Sequence, residues 1–183
     1  MEEGGYALFD TAIGVCGIAW GAEGVVAVQL PEADAARTRA RLLKGLPPLP
    51  EGAQPPPAVI AAMQGVQALM NGEARDLREV ELDTSRLTPF QCEVYALARA
   101  IPPGQTRTYG EIAREMGDVG LSRAVGQALG HNPFAPIVPC HRVLAAGNKP
   151  GGFSAGGGAI TKLRMLAIEG AVPSGTASLF DDA

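Results

Sequence analysis

The sequence predicts an α/β unit with a small antiparallel sheet, followed by a mostly α-helical unit that carries a helix-turn-helix. Three observations lead there. Residues 6–29 hold short β-prone runs broken by Gly-containing turns. From about residue 86 onward, apolar residues recur at helical spacing instead. Residues 108–130 then read as helix, Gly-bearing turn, helix.

Taken in order, strands are expected near Tyr6–Thr11, Val15–Trp20 and Val25–Gln29, joined as a meander. "EADAARTRARLLKG" is rich in Ala and Arg, lacks β-branched runs and stops at Gly45, which predicts a helix. In the Pro-rich connection that follows, Pro55 to Pro57 must be extended or open a helix. "AVIAAMQGVQALMNG" is a second helix with an Asn-Gly stop, and "LREVELD", alternating in part, is a further strand. Thr88 can cap the next helix, with Pro89 suited to its first position. Phe90, Val94, Leu97 and Ile101 mark its inner face, and Pro102-Pro103-Gly104 ends it. Thr108 caps a short helix through Met116, "GDVG" turns, and Leu121 or Ser122 opens a second helix with Ala124, Val125, Ala128 and Leu129 inward. Arg107, Arg114 and Arg123 lie on or beside this pair. "AAGNKPGGFSAGGG" is loop. "AITKLRMLAIEG" closes as a helix with Thr161, Leu163, Leu166 and Ile168 inward and Glu169 near its end. The division expected is residues 1–85, residues 86–172 and a tail, 173–183.

Bulk properties narrow the function classes. A 183-residue chain with 46% hydrophobic and 19% charged residues is globular rather than disordered. Three cysteines without paired spacing, Cys16, Cys92 and Cys140, speak for free thiols in a reducing compartment. The N-terminus has no basic and apolar leader, and no apolar run is long enough to span a bilayer, so a cytoplasmic protein without membrane contact is expected. Net charge is −4, unevenly spread. Residues 1–85 carry 6 Lys/Arg against 12 Asp/Glu, whereas residues 86–170 carry 9 against 5. A basic second half permits a polyanion partner without establishing one.

The chemistry concentrates in "PIVPCHRVL". A thiol at its ordinary pKa is mostly protonated at neutral pH and needs a base or positive surroundings to react. His141 is a candidate base and Arg142 adds positive potential. In a strand, however, neighbours face opposite sides, so Cys140 and His141 can cooperate only if the chain turns there or a water bridges them. On these residues alone an inert structural cysteine stays open beside a reactive one. Structural zinc wants four ligands, and only Cys140, His141 and His131 cluster. The glycines after Ser154 lack the Lys-Ser or Lys-Thr of a phosphate loop.

Together "TYGEIA", "SRAVGQALGHNP", "PIVPCHRV" and "GGFSAGGGAITKLRMLAIEG" resemble the 6-O-alkylguanine-DNA alkyltransferases (methylated-DNA–protein-cysteine methyltransferases), in their order and spacing over about residues 88–170. "PCHRV", Pro139–Val143, is that family's acceptor-cysteine signature. The resemblance implies a ribonuclease H-like N-terminal α/β domain, a winged helix-turn-helix C-terminal domain, and a monomer acting on double-stranded DNA that contains alkylated guanine. It implies that Cys140 takes the alkyl group from the flipped base, once per molecule. His141 would accept the thiol proton through a water, Glu169 would orient His141, and Asn132 would hold the turn that carries the cysteine. Arg123 would fill the space of the extruded base and Tyr109 would press on the neighbouring phosphate. Ser122, Ala124 and Gly126 would line the DNA-facing helix. Pro139, Val143, Phe153 and Ser154 would surround the base. Phe153 stands where some members have tyrosine, and "SAGGG" is a longer form of that loop. The zinc ligands of some members have no match, so no metal and no cofactor is expected. Two rivals remain: a lesion-binding relative without transfer activity, which usually lacks the cysteine, and a transcriptional regulator, for whose extra domain the chain has no room.

Overall fold

The computed structural model describes residues 4–148 and 158–171. Strands β1 (Gly5–Thr11), β2 (Gly14–Gly21) and β3 (Gly24–Gln29) pair antiparallel in sequence order, as the meander predicts. Their alternation sends Cys16, Ile18 and Trp20 to one face, where they pack with Val59, Ala62, Val66 and Leu69. Ala19 and Ala27 face the other way, against Leu42. Helices α1 (Ala35–Leu43) and α2 (Pro57–Met70) therefore cover opposite faces of the sheet. Asp34 caps α1 by accepting from Arg37 N at 2.8 Å. A Cβ on Gly17 would lie 2.9 Å from Leu42, so the absence of a side chain there lets α1 sit close.

The strand expected in "LREVELD" does not form. Leu77 takes φ 58°, residues 78–80 turn, and only Leu82 makes a single parallel bridge to Val25. Val25 N bonds Glu81 O at 3.0 Å, and Asp83 N bonds Val25 O at 2.8 Å. One bridge satisfies the backbone at Val25, and the chain leaves at once for the second half. Gly24, at φ +126°, makes this possible: a Cβ would stand 2.6 Å from Glu81 O.

In the second half Thr88 and Gln91 form a capping box on α3 (Pro89–Arg99). Thr108 and Glu111 form another on α4 (Tyr109–Glu115), which follows the two-residue strand β4 (Arg107–Thr108). A 3-10 turn at Val119–Leu121 leads into α5 (Ser122–Gly130). Val125, Ala128 and Leu129 are buried as expected, but Ala124 is only half-buried, because it sits at the edge of the inner face. A second 3-10 turn, Cys140–Arg142, opens into β5 (Val143–Leu144), which pairs parallel with β4. The last described helix is α6 (Ala159–Ile168). Its inner face is Lys162, Leu163, Met165 and Leu166; Thr161 and Ile168, expected inward, are half-buried.

One continuous apolar cluster runs from Phe9 and Trp20 through Val94 and Val125 to Cys140 and Val143. Val28 N donates to Pro133 O at 2.8 Å, which ties β3 to the loop after α5. Arg78 caps the carbonyls of Arg99 and Ala100, while Arg99 reaches back to those of Leu77, Arg78 and Val80. This reciprocal clasp gives the end of α3 partners for its last carbonyls. Among the described residues, no helix is long and apolar enough to cross a membrane.

Candidate active site

The 3-10 turn at Cys140–Arg142 meets the condition the sequence set: the chain turns where the cysteine and histidine stand. It also buries them, leaving Cys140 6%, His141 0% and Arg142 1% exposed. Asn132 braces the approach. Its Nδ2 donates to Val138 O at 2.7 Å and its Oδ1 accepts from Phe134 N at 2.9 Å. Both ends of the side chain thus hold the loop that delivers Pro139 and Cys140.

Behind the turn lies a polar cluster. His141 Nε2 meets Glu169 Oε1 at 2.7 Å. Arg142 forks onto the same carboxylate, with Nη2 to Oε1 at 2.7 Å and Nε to Oε2 at 3.0 Å, and its Nη1 donates to Ile101 O at 2.8 Å. Burial opposes a charge on Glu169, yet the hydrogen bonds from His141 and Arg142 outweigh it and lower its pKa to about 2. An ionised carboxylate only accepts, so His141 carries its proton on Nε2. Burial holds the ring neutral against the pull of Glu169, helped by the charges of Arg142 and Lys162. That leaves Nδ1 with a free lone pair, buried and without a partner among the described residues.

The thiol of Cys140 is pushed up by burial, with a hydrogen bond from Asn132 and the charge of Lys162 acting the other way. It rests protonated, next in sequence to a histidine with an unused basic nitrogen. Lys162 projects from α6 into the same region. Its Nζ donates to Val143 O at 2.7 Å, lies 3.5 Å from Tyr109 Oη and sits 5.6 Å from the centre of that ring. Burial lowers its pKa to about 8, while Cys140 pulls the other way. Tyr109 is raised, by burial first and by Cys140 second.

Outward from Tyr109 opens a cavity of about 480 Å³ lined by Tyr109, Ser122, Arg123, Gly126, Ala145 and Ala146 among others. Arg123 is exposed at the head of α5. Gly126 packs beside the Tyr109 ring, where a Cβ would make an ordinary contact at 3.7 Å. A buried thiol beside a neutral histidine, with a cavity lined by Tyr109 and an exposed arginine in the same half of the chain, suits transfer of a small group from a large anionic partner to sulfur.

The "6-O-methylguanine DNA methyltransferase, DNA binding domain" family profile matches residues 89–171. A Mycolicibacterium paratuberculosis methylated-DNA–protein-cysteine methyltransferase is 43% identical over 126 residues, 69% of this chain and 74% of its own. The chain belongs to this family. A Thermus thermophilus DNA base-flipping protein is 42% identical over 110 residues, 60% of this chain and 71% of its own. The Mycobacterium tuberculosis O6-methylguanine methyltransferase superimposes with a TM-score of 0.72 at 35% identity, covering 97% of this chain and 99% of that one. The same organism's OGT in complex with DNA gives 0.69 at 36% identity, covering 92% and 94%.

For a methylated-DNA–protein-cysteine methyltransferase the grouping of residues is informative. Cys140, His141 and the Glu169 side chain form one buried cluster with half-buried Asn132 against it, while Tyr109, Ser122, Arg123 and Gly126 share one cavity wall. Pro139 and Val143 are buried beside the cysteine, and Ala124 is not part of the cavity wall. Phe153 and Ser154 lie outside the described residues. Among the described residues no group of three or more His, Cys, Asp or Glu could hold a metal ion. Sequence reasoning missed Lys162 and undervalued Arg142. The signal for Lys162 was present: with Met165, Leu166 and Glu169 it keeps the i, i+3, i+4, i+7 spacing of one helix face.

Proposed function

We propose that Cys140 is the residue this protein alkylates, in a direct-reversal repair of 6-O-alkylguanine in double-stranded DNA. The observation that carries the reading is the neutral, buried His141, aimed by Glu169 and holding a free Nδ1 lone pair beside a buried thiol. On this reading the thiol proton passes to Nδ1 across one water. The sulfur attacks the alkyl carbon, a C–S bond forms, and the C–O6 bond breaks. Its electron pair stays on the guanine oxygen, and uptake of a proton leaves ordinary guanine. The thioether is stable, so each molecule acts once and needs no cofactor.

A stacked base cannot reach a thiol that is 6% exposed. The nucleotide must turn out of the helix, at a cost of roughly a few kcal/mol. Arg123, exposed at the head of α5, is suited to offset part of that cost by occupying the vacated space, while Tyr109 stands at the cavity wall. On the family resemblance, Val143, Phe153 and Ser154 would bound the base. The same reading takes residues 1–85 as a ribonuclease H-like domain, residues 86–172 as a winged helix-turn-helix domain with the parallel pair β4–β5 in its wing region, and the protein as a cytoplasmic monomer.

The test is intact mass after mixing the protein with a duplex containing one 6-O-methylguanine, beside Cys140→Ser. One added methyl on the parent alone, mapped to the Cys140 peptide, supports the reading. The likeness to a base-flipping protein favours one rival. Tight binding to the lesion with no added mass would assign the chain to that lesion-binding class instead.

A further inference from the structure

Glu169 answers to two partners, and the geometry gives the second a role the reaction needs. A histidine bonded to a buried, ionised carboxylate ordinarily gains a proton, because the imidazolium–carboxylate pair is favourable. A protonated His141 would be useless as a base: both ring nitrogens would be donors. Here Arg142 lies across the same carboxylate with a two-pronged contact, sharing Oε1 with His141 and taking Oε2 alone. The fork fixes the plane of the carboxylate and thus the direction of Oε1. It also cancels the carboxylate charge that would otherwise draw a second proton onto the ring. The Arg142 Nη1 bond to Ile101 O anchors the fork to the end of α3, so it cannot swing away.

We infer that Arg142 is a positioning residue that keeps His141 a neutral, Nε2-protonated base by neutralising Glu169 and fixing its Oε1 on the ring. The inference rests on the reading that His141 takes the proton of Cys140. Among the described residues, the groups acting on His141 are Glu169 and Lys162 from α6 and Arg142 from its own turn. Cys140 adjoins it, and Tyr95 of α3 and Tyr109 of α4 face that cysteine. Lys162 and Arg142 work in one direction and Glu169 in the other. Removing Arg142 therefore leaves the carboxylate under-compensated, and His141 gains its second proton at higher pH.

The experiment uses the full chain, its Arg142→Gln variant and the charge-keeping Arg142→Lys. The rate of Cys140 alkylation by free 6-O-benzylguanine is followed by intact mass from pH 5 to 9. In parallel, imidazole nitrogen spectra are recorded, where only His131 and His141 contribute. The parent should show His141 neutral with Nε2–H to lower pH than an ordinary histidine, because burial disfavours the imidazolium. In the Gln variant the acid limb of the rate profile should move up by about one pH unit, roughly a tenfold loss against the parent on that limb, with an imidazolium signal to match. The Lys variant should keep the parent's limb. A Gln variant slowed by the same factor at every pH, with its limb unmoved, would mean a purely structural arginine and overturn the inference. An imidazolium signal from parent His141 at pH 7 would overturn it too, whether or not the variants fold. A parent that gains no mass would refute the proposed function itself, a separate outcome.

Discussion

Glu169→Gln tests the buried cluster through stability as well as reactivity. The substitution keeps size and shape, removes the charge, and leaves the Arg142 guanidinium, 1% exposed, without its counter-ion. The magnitude follows from the carboxyl itself. Its side chain is 2% exposed in the pair, so solvent screening takes little from the shift. Its pKa falls from 4.5 to about 2 on folding, which at about 1.4 kcal/mol per pH unit is worth about 3 kcal/mol. Breaking a buried pair by removing one partner costs a similar 3–5 kcal/mol, roughly. The sign is that of a depressed acid: the contribution is complete above the unfolded-state value near 4.5 and is lost as pH falls toward 2. Urea unfolding of parent and variant should differ by about 3 kcal/mol at pH 7. By pH 3 the gap should shrink to about half or less, because the unfolded chain's carboxyl is then protonated while the folded one stays mostly ionised. A gap below about 0.5 kcal/mol at pH 7 would refute the reasoning. So would a gap that stays constant with pH, since it would come from packing and not from charge.

Two further substitutions separate DNA handling from chemistry. Arg123→Ala, at an exposed position on the cavity rim, should slow repair in duplex DNA at least tenfold while leaving the reaction with free 6-O-benzylguanine within about twofold; equal losses would remove the base-flipping role. Lys162→Met should slow both substrates alike, since it removes a charge that favours the Cys140 thiolate and the donor that holds Val143 O at 2.7 Å; paired single-turnover rates on the two substrates read this directly.

Local rules made most of the fold legible. Strand alternation in 6–29, the Thr caps at 88 and 108, and Pro89 at a first helical turn each act within four residues, and each has its structural counterpart. "LREVELD" failed because its pattern promised a strand while its partner, β3, is also bonded to β2 and to Pro133. With Leu77 at φ 58° and a turn at residues 78–80, a single bridge forms, at Val25. Ala124 and Ile168 erred by a fraction of a turn, which is the resolution of a 3.6-residue period in short helices. Lys162 was missed for a different reason: the helix face it shares with Met165 and Leu166 was visible, its hydrogen-bond partner was not. A lysine is almost never fully buried unless its ammonium finds partners, and Val143 O comes from a segment 19 residues away that periodicity cannot see.

The candidate site shows the same division more sharply. "PCHRV" is contiguous, yet its chemistry is not. Asn132 reaches the loop from the end of α5, Glu169 closes α6, Lys162 enters from the first turns of α6, and Ile101 lends its carbonyl from the end of α3. A 3-10 turn alone would place a cysteine beside a histidine without making either reactive. What makes the pair usable is that one carboxylate is held by two cationic or donor side chains and that all of them are buried, where unpaired charges would be too costly to tolerate. On the proposed reading, burial also explains why the nucleophile can wait: desolvation keeps the thiol protonated, and His141 holds a free lone pair. On that reading the sequence motif marks where the reaction would happen, whereas the long-range partners of the motif decide whether it can.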